Sequence, residues 1–185
     1  MKYTNFFMGI TFLLMFTSCA LASTPTQKMI NDAFFCKASP QEASKVSEYL
    51  SKKQRNMTRL EAKKLDFPML YAYSDQKISV NGYVGNIVQV SGKQGDDLIS
   101  LSLILPEKNS LQVIESLAKK YRGKGDDAYN EQAIRLGLNV RYYTLLEGTQ
   151  NNYRKTFSLS NAWDSDYYGI PSTMIEFSCQ YIKLS

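Results

Sequence analysis

Histidine is absent from this chain of 185 residues. That absence removes the side chain that most often acts as a general base near neutral pH and most often binds transition metals. A glycine-rich phosphate loop is also missing, since Gly82 and Gly85 fall between predicted strands, where glycines mark turns and bulges. We therefore predict no metal site and no cofactor.

Paired carboxylates remain as a route to catalysis, because two acids suffice for a glycosidase. Glu147 and three acidic pairs are candidates: Asp96-Asp97, Asp126-Asp127 and Asp164-Ser165-Asp166. The first two pairs lie in loops bounded by glycine, where Asp commonly stabilises turns. The third pair has ligand chemistry for calcium but lacks the other oxygen ligands at a known loop spacing. A carboxylate-based hydrolase of envelope glycans is therefore the alternative to a non-enzymatic function.

Long apolar runs are missing beyond the first residues. Residues 6–16 are mostly apolar but shorter than the roughly 20 residues that span a bilayer. Lys2 precedes this run, and Ala20-Leu21-Ala22 fits the small-x-small cleavage rule, so we predict a signal peptide over 1–22 and export to the periplasm or the exterior. Thr17-Ser18-Cys19 supports an alternative, an outer-membrane lipoprotein with a structural role that is lipidated at Cys19. For the mature chain we predict no transmembrane helix.

Blocks of like charge are missing as well. The formal net charge is +5, and the charges are dispersed. Lysine pairs such as Lys52-Lys53 and Lys119-Lys120 lie at predicted helix ends, where cations favour the helix dipole. We therefore expect no nucleic-acid partner.

Only two cysteines remain after signal cleavage, Cys36 and Cys179. An even pair in an exported chain is normally joined, so we predict a disulfide that ties the start of the domain to its last strand. The loop that this disulfide closes is long, and the chain-entropy model gives a stabilisation of about 4–5 kcal/mol.

The remaining sequence predicts one α+β domain over 34–185, preceded by a flexible segment over 23–33. Ser39-Pro40 with Glu42 forms a capping-box pattern that starts a helix over 40–53, and an apolar stripe predicts a second helix over 110–121. A short helix is also predicted near 129–136. Strands are predicted at 67–73, at 78–90 with a turn at Asn81-Gly82, and at 99–105, 138–146, 154–160 and 173–182.

This order is α-β-β-β-α-β-β-β and predicts an antiparallel sheet of about six strands with two main helices on one face. Residues 46–53 and 113–120 share the pattern V-x-E-x-L-x-K-K. A duplicated αβββ unit explains this likeness, and convergence between amphipathic helices is the alternative. Inhibitors of secreted enzymes can be built from two such units, an analogy at the level of the fold only.

One segment between two predicted strands is rich in aromatic residues. It holds the only tryptophan together with nearby tyrosines and acids: Trp163, Asp164, Asp166, Tyr167 and Tyr168. Large amphipathic rings on a loop are typical of binding surfaces, and the same rings can instead cap an open end of the core. We predict partner binding by these five residues, with core capping as the alternative.

These observations lead to a functional hypothesis. We expect a non-enzymatic periplasmic or envelope protein that binds another protein or envelope component. An inhibitor, an immunity factor and an accessory subunit all fit that description.

Overall fold

The computed structural model describes residues 24–65, 71–138, 140–161 and 174–185, and the structural statements below concern these residues. The predicted signal peptide over 1–22, with Cys19, lies outside them. No helix in the described part of the chain is both long and apolar enough to cross a membrane.

The chain folds as the predicted α+β class, with helices packed on an antiparallel sheet. The described helices are α1 (Gln27–Phe34), α2 (Pro40–Lys52), α3 (Arg59–Leu65), α4 (Ser110–Tyr121) and α5 (Asp127–Arg135). The described strands are β1 (Gln54–Asn56), β2 (Ala72–Val80), β3 (Tyr83–Ser91), β4 (Leu98–Pro106), β5 (Lys124–Gly125), β6 (Tyr142–Gln150), β7 (Tyr153–Ser160) and β8 (Met174–Lys183).

The eight strands form one sheet in the order β1-β2-β3-β4-β8-β7-β6-β5. Each half of the chain contributes a helix, a short strand, a shorter helix and three long strands in the same order. The halves meet where β4 pairs with β8 along nine residues. The sheet order is therefore symmetric about its centre, and the likeness between 46–53 and 113–120 extends to the whole architecture.

The strand count corrects the prediction of about six. The two additional strands, β1 and β5, have three and two residues, too few to show an alternating pattern in the sequence. One boundary also differs, since β6 occupies Tyr142–Gln150 where we predicted a strand over 138–146. Of the strand predicted at 67–73, residues 67–70 lie outside the described residues, and β2 occupies Ala72–Val80.

Local sequence explains the elements that were predicted well. Ser39 and Glu42 form both hydrogen bonds of a capping box at the start of α2, with Pro40 in the first turn. Asn81 and Gly82 have φ of 55° and 86° and join β2 to β3 in a two-residue turn. Positive φ at both positions is the geometry that Asn-Gly favours in hairpins.

The N-terminal segment contains a helix that the sequence analysis did not predict. α1 comprises residues 27–33 of the segment predicted to be flexible over 23–33, together with Phe34, and it is capped by the Thr26 side chain, which accepts a hydrogen bond from the Met29 N–H. Ile30, Ala33 and Phe34 point from one side of this helix into the core. Burial of this apolar stripe supplies the free energy that orders a short polar helix.

The main core lies between the sheet and helices α1, α2 and α4. β8 contributes Ile175, Phe177, Cys179 and Tyr181, which alternate along the strand and are at most 1% exposed. The Tyr181 hydroxyl donates to the Ala38 carbonyl at 2.9 Å, and burial raises the pKa of this hydroxyl well above its usual range.

Cys36 and Cys179 form a disulfide with a Cα–Cα distance of 5.3 Å. Cys36 follows α1, and Cys179 lies in the middle of β8, so the bond joins the N-terminal helix to a central strand of the other half. It closes a separation of 143 residues.

Candidate functional site

The face of the sheet opposite α1, α2 and α4, here called the second face, is built mainly from small polar side chains. It exists because Ser100 and Ser102 alternate with the core leucines of β4. Pairing aligns these serines with polar residues of β8 and β7. One row contains Ser102, Ser178 and Ser158, and the next contains Ser100, Gln180 and Thr156.

The row of three serines is buried. Ser102, Ser158 and Ser178 are 2%, 4% and 7% exposed, and the Ser102 hydroxyl donates to the Ser178 hydroxyl at 3.0 Å. This hydrogen bond replaces water for two buried groups across the β4–β8 junction. The row therefore links the two halves of the sheet through buried polar side chains.

The rows towards the other end of the same strands are partly exposed, with Ser100, Gln180, Thr156 and Ile182 half-buried. Leu98 is 45% exposed, and its ladder partner Ile182 pairs in turn with exposed Arg154. We call the residues of these two rows the open patch: Leu98, Ile182, Arg154, Ser100, Gln180 and Thr156. It combines apolar contact area, amide and hydroxyl groups, and one cation that has no salt bridge among the described residues.

A corner of the second face is closed by a small cluster around α3. Met57, Ala62, Tyr71, Ile87, Ile104 and Met174 are buried together there. Beside it, the Arg55 guanidinium donates twice to the Glu61 carboxylate, at 2.9 and 3.0 Å, and its centre lies 4.8 Å from the centroid of the Tyr73 ring. The guanidinium and the N–H and hydroxyl of Thr58 lower the pKa of the Glu61 carboxyl to about 2. This corner is fixed by packing and charge.

The predicted aromatic segment lies outside the described residues. That holds for Trp163, Asp164, Asp166, Tyr167 and Tyr168, so partner binding by them stays a prediction. The structure places the two flanks of the segment, Asn161 after β7 and Met174 at the start of β8. Both flanks lie at the ends of β7 and β8 opposite the open patch, beyond the buried serine row.

The described acidic pairs have structural roles. The Asp96 carboxylate accepts a hydrogen bond from the Lys93 N–H within the β3–β4 loop. The Asp126 carboxylate accepts from the Tyr129 N–H and caps α5. Within the described ranges, no group of three or more acidic or cysteine side chains is arranged to hold a metal ion.

Comparison with known proteins adds no assignment. Neither the protein-family models, nor the curated proteins, nor the solved structures that were searched contain a match to this chain. The functional argument therefore rests on the residues themselves.

Sequence reasoning missed the open patch, although part of its signal was visible. The alternation of serine with leucine in β4 predicted one core face but not what the other face would meet. The rows form only when β4 pairs with β8 and β8 with β7, and the register of strands distant in sequence is not encoded locally.

Proposed function

We propose that this protein is an exported, non-enzymatic binding protein that holds another protein against the open patch of the second face. The observation that carries the proposal is the row Ser91, Ser100, Gln180, Thr156 and Glu147, which crosses five adjacent strands. With neighbouring strands about 4.8 Å apart, the row is roughly 19 Å wide. A small-molecule site encloses its ligand in a cleft, whereas a broad row of this kind suits a macromolecular surface.

The chemistry of the open patch supports a protein partner. Leu98 and Ile182 offer apolar area, and Arg154 is of a residue type enriched in protein interfaces. Gln180 and Thr156 supply neutral donors and acceptors, which bind a partner without the desolvation penalty of a charge.

The aromatic segment over 162–173 extends the same proposal. Its flanks lie at the ends of β7 and β8 opposite the open patch, so Trp163 and Tyr167 would add ring area to a second part of the binding surface. An inhibitor, an immunity factor or an accessory subunit would use such a surface in the same physical way.

Export is supported by the Cys36–Cys179 disulfide, since such bonds persist in oxidising compartments. Mass spectrometry of the mature N-terminus tests the export route. An unmodified Ser23 supports the soluble periplasmic or secreted form, and a diacylglyceryl Cys19 supports the lipoprotein.

The binding proposal is tested by capture from envelope extract with tagged residues 23–185. Gln180→Arg places a long cation in the middle of the open patch, and Gln41→Arg makes the same change at an exposed position on α2. We expect the stoichiometric partner of the wild type to be lost, at least tenfold, from the first variant only. Equal capture by both variants would exclude the open patch as the binding surface.

The aromatic segment is tested separately with Trp163→Ala combined with Tyr167→Ala. Loss of the same partner would assign the segment to the binding site, and unchanged capture would leave it outside. If no partner is captured and purified protein hydrolyses an envelope glycan, the carboxylate-based hydrolase replaces the binding proposal.

A further inference from the structure

One edge of the sheet is open along most of a long strand. β6 has nine residues, and on its outer side it pairs with β5 only at Tyr143 and Thr144. Among the described residues, no backbone group forms a hydrogen bond with residues 145–150 from that side. Unpaired strand edges template the addition of another strand, and proteins usually cover them.

The first half shows how the equivalent edge is covered. β2 and β6 each have nine residues and are followed by a two-residue turn, so Lys77 and Ser79 correspond to Glu147 and Thr149. On the β2 edge, the outward groups are satisfied by α1 and by the end of α2. Gln27 donates to the Lys77 carbonyl, Ser79 N–H donates to the Asn31 side chain, and Asp75 N–H donates to the Lys53 carbonyl. In the second half, the described residues contain no counterpart of α1.

An apolar cavity lies beside the open edge. Its volume is about 190 Å³, and it is lined by Leu145 and Leu146 at the start of the open edge together with Phe35, Tyr121 and Phe157. Leu146 is 45% exposed, so the cavity opens to solvent at the strand. Cavities of roughly 150 Å³ with similar linings hold a benzene molecule, which is the size of one large apolar side chain.

Two cations flank this cavity. The Lys37 ammonium lies 4.3 Å from the centroid of the Phe35 ring, and the Lys120 ammonium lies 5.3 Å from that of Tyr121. Both lysines are exposed, and neither forms a salt bridge among the described residues. The charge beside the cavity therefore favours an anionic ligand.

From these three features we infer that the open edge of β6 binds an extended peptide segment of a partner protein, whose apolar side chain enters the cavity while nearby acidic residues contact Lys37 and Lys120. Backbone pairing with residues 145–150 supplies affinity, and the cavity and the lysines supply specificity. The open patch borders this edge, because Thr156 and Arg154 pair with Glu147 and Thr149, but the cavity lies on the other face of the sheet.

A second copy of this chain is the other occupant that an open edge suggests. Pairing of β6 with β6 of another copy would bring two identical cation pairs together without supplying acids for them. Charge complementarity therefore favours a peptide with acidic residues.

The test uses a phage-displayed library of random heptapeptides selected against the tagged domain over 23–185. We expect enrichment of peptides that combine one large apolar residue with Asp or Glu. Thr149→Pro removes a backbone N–H on the open edge, and edge strands tolerate proline where that N–H faces outwards. Thr149→Val keeps the N–H and is the matched control. The dissociation constant of an enriched peptide should rise at least tenfold in the first variant and stay within twofold in the second.

The lysines are tested by Lys37→Gln combined with Lys120→Gln, with Lys45→Gln on α2 as control. The double variant should bind at least fivefold more weakly and lose most of the salt dependence, while the control and Gln180→Arg should bind as the wild type does. Circular dichroism and thermal unfolding check that each variant is folded. The inference is overturned if no peptide is selected, if selected peptides bind Thr149→Pro unchanged, or if they lack acidic residues. Self-association that Thr149→Pro abolishes would assign the edge to a second copy instead.

Discussion

The two halves of the sheet share one architecture but are covered differently. In the first half, α1 packs on β2 and closes its edge with side-chain hydrogen bonds. In the second half, no helix among the described residues covers the equivalent strand, and these residues leave its edge open over 145–150. The symmetric frame therefore carries one closed edge and one open edge.

The sequence at equivalent positions follows this difference. Counting back from each hairpin turn, Ile78 and Val80 of β2 correspond to Gly148 and Gln150 of β6. The first two are fully buried beneath the N-terminal helix, and the second two are half-buried. Apolar side chains thus occur where a helix of this chain covers the strand, and small or polar residues occupy the equivalent positions along the open edge of β6.

The largest expected effect comes from removing the bond that holds α1 to the second half. Cys36→Ser combined with Cys179→Ser should lower the free energy of unfolding by about 4–5 kcal/mol, because the closed loop is long. Urea unfolding measures this, with the reduced wild type as control. Equal midpoints for oxidised wild type and the double variant would mean that the disulfide does not join the halves in solution.

Equivalent core leucines provide the next comparison. Leu50 on α2 is fully buried, and its counterpart Leu117 on α4 is 6% exposed. Leu50→Ala should lower the free energy of unfolding by about 4 kcal/mol and Leu117→Ala by about 2–3 kcal/mol. Urea unfolding of both variants checks the order. A larger loss for Leu117→Ala would contradict the view that α1 makes the first half the better packed one.

Replacing glycine by alanine should change stability in opposite directions at two positions, Gly82 in a hairpin turn and Gly148 in strand β6. Gly82 has φ of 86°, so Gly82→Ala should destabilise by about 1 kcal/mol even though no atom lies within 4 Å of the added carbon. Gly148 in β6 has open space and no positive φ, so Gly148→Ala should stabilise by about 0.5 kcal/mol. Thermal unfolding measures both. Destabilisation by Gly148→Ala would contradict the view that this position of β6 has room for a side chain.

The smallest effect concerns the Arg55–Glu61 ion pair at α3 in the first half. The pKa of Glu61 is lowered to about 2 in the folded chain, against about 4.3 in an unfolded one. Between these values the unfolded chain binds more protons, so this contribution to stability is complete above about pH 4.5 and is lost as the pH falls towards 2. Glu61→Gln and Arg55→Met should each flatten the acid limb of the stability profile. An unchanged limb in both would mean that this pair does not contribute.

The local parts of this fold were predictable because their causes are local. The capping box at Ser39 and Glu42 and the Asn81-Gly82 turn depend on residues within a few positions of one another, and both were predicted and found. α1 was missed because Ile30, Ala33 and Phe34 give a short stripe in a polar segment, and only their burial against distant strands orders it.

The functional surfaces were less predictable because they depend on long-range pairing. The open patch needs the register of β4 with β8, and the cavity needs Phe35 and Tyr121 to approach β6. The disulfide was an exception among long-range features, since the predicted signal cleavage leaves two cysteines and therefore one pairing. The aromatic segment with Trp163 keeps its predicted role until the capture experiment is done.

The pairing of β4 with β8 also determines when the sheet can be completed during folding. β4 and β8 pair from Leu98 with Ile182 to Pro106 with Met174, partners that lie 84 to 68 positions apart in the chain. Folding slows as such distant contacts dominate. During synthesis, β4 therefore lacks its neighbour on one side until β8, the last strand, has been made. Until β8 pairs with it, β4 presents an unpaired edge that is open to aggregation and proteolysis.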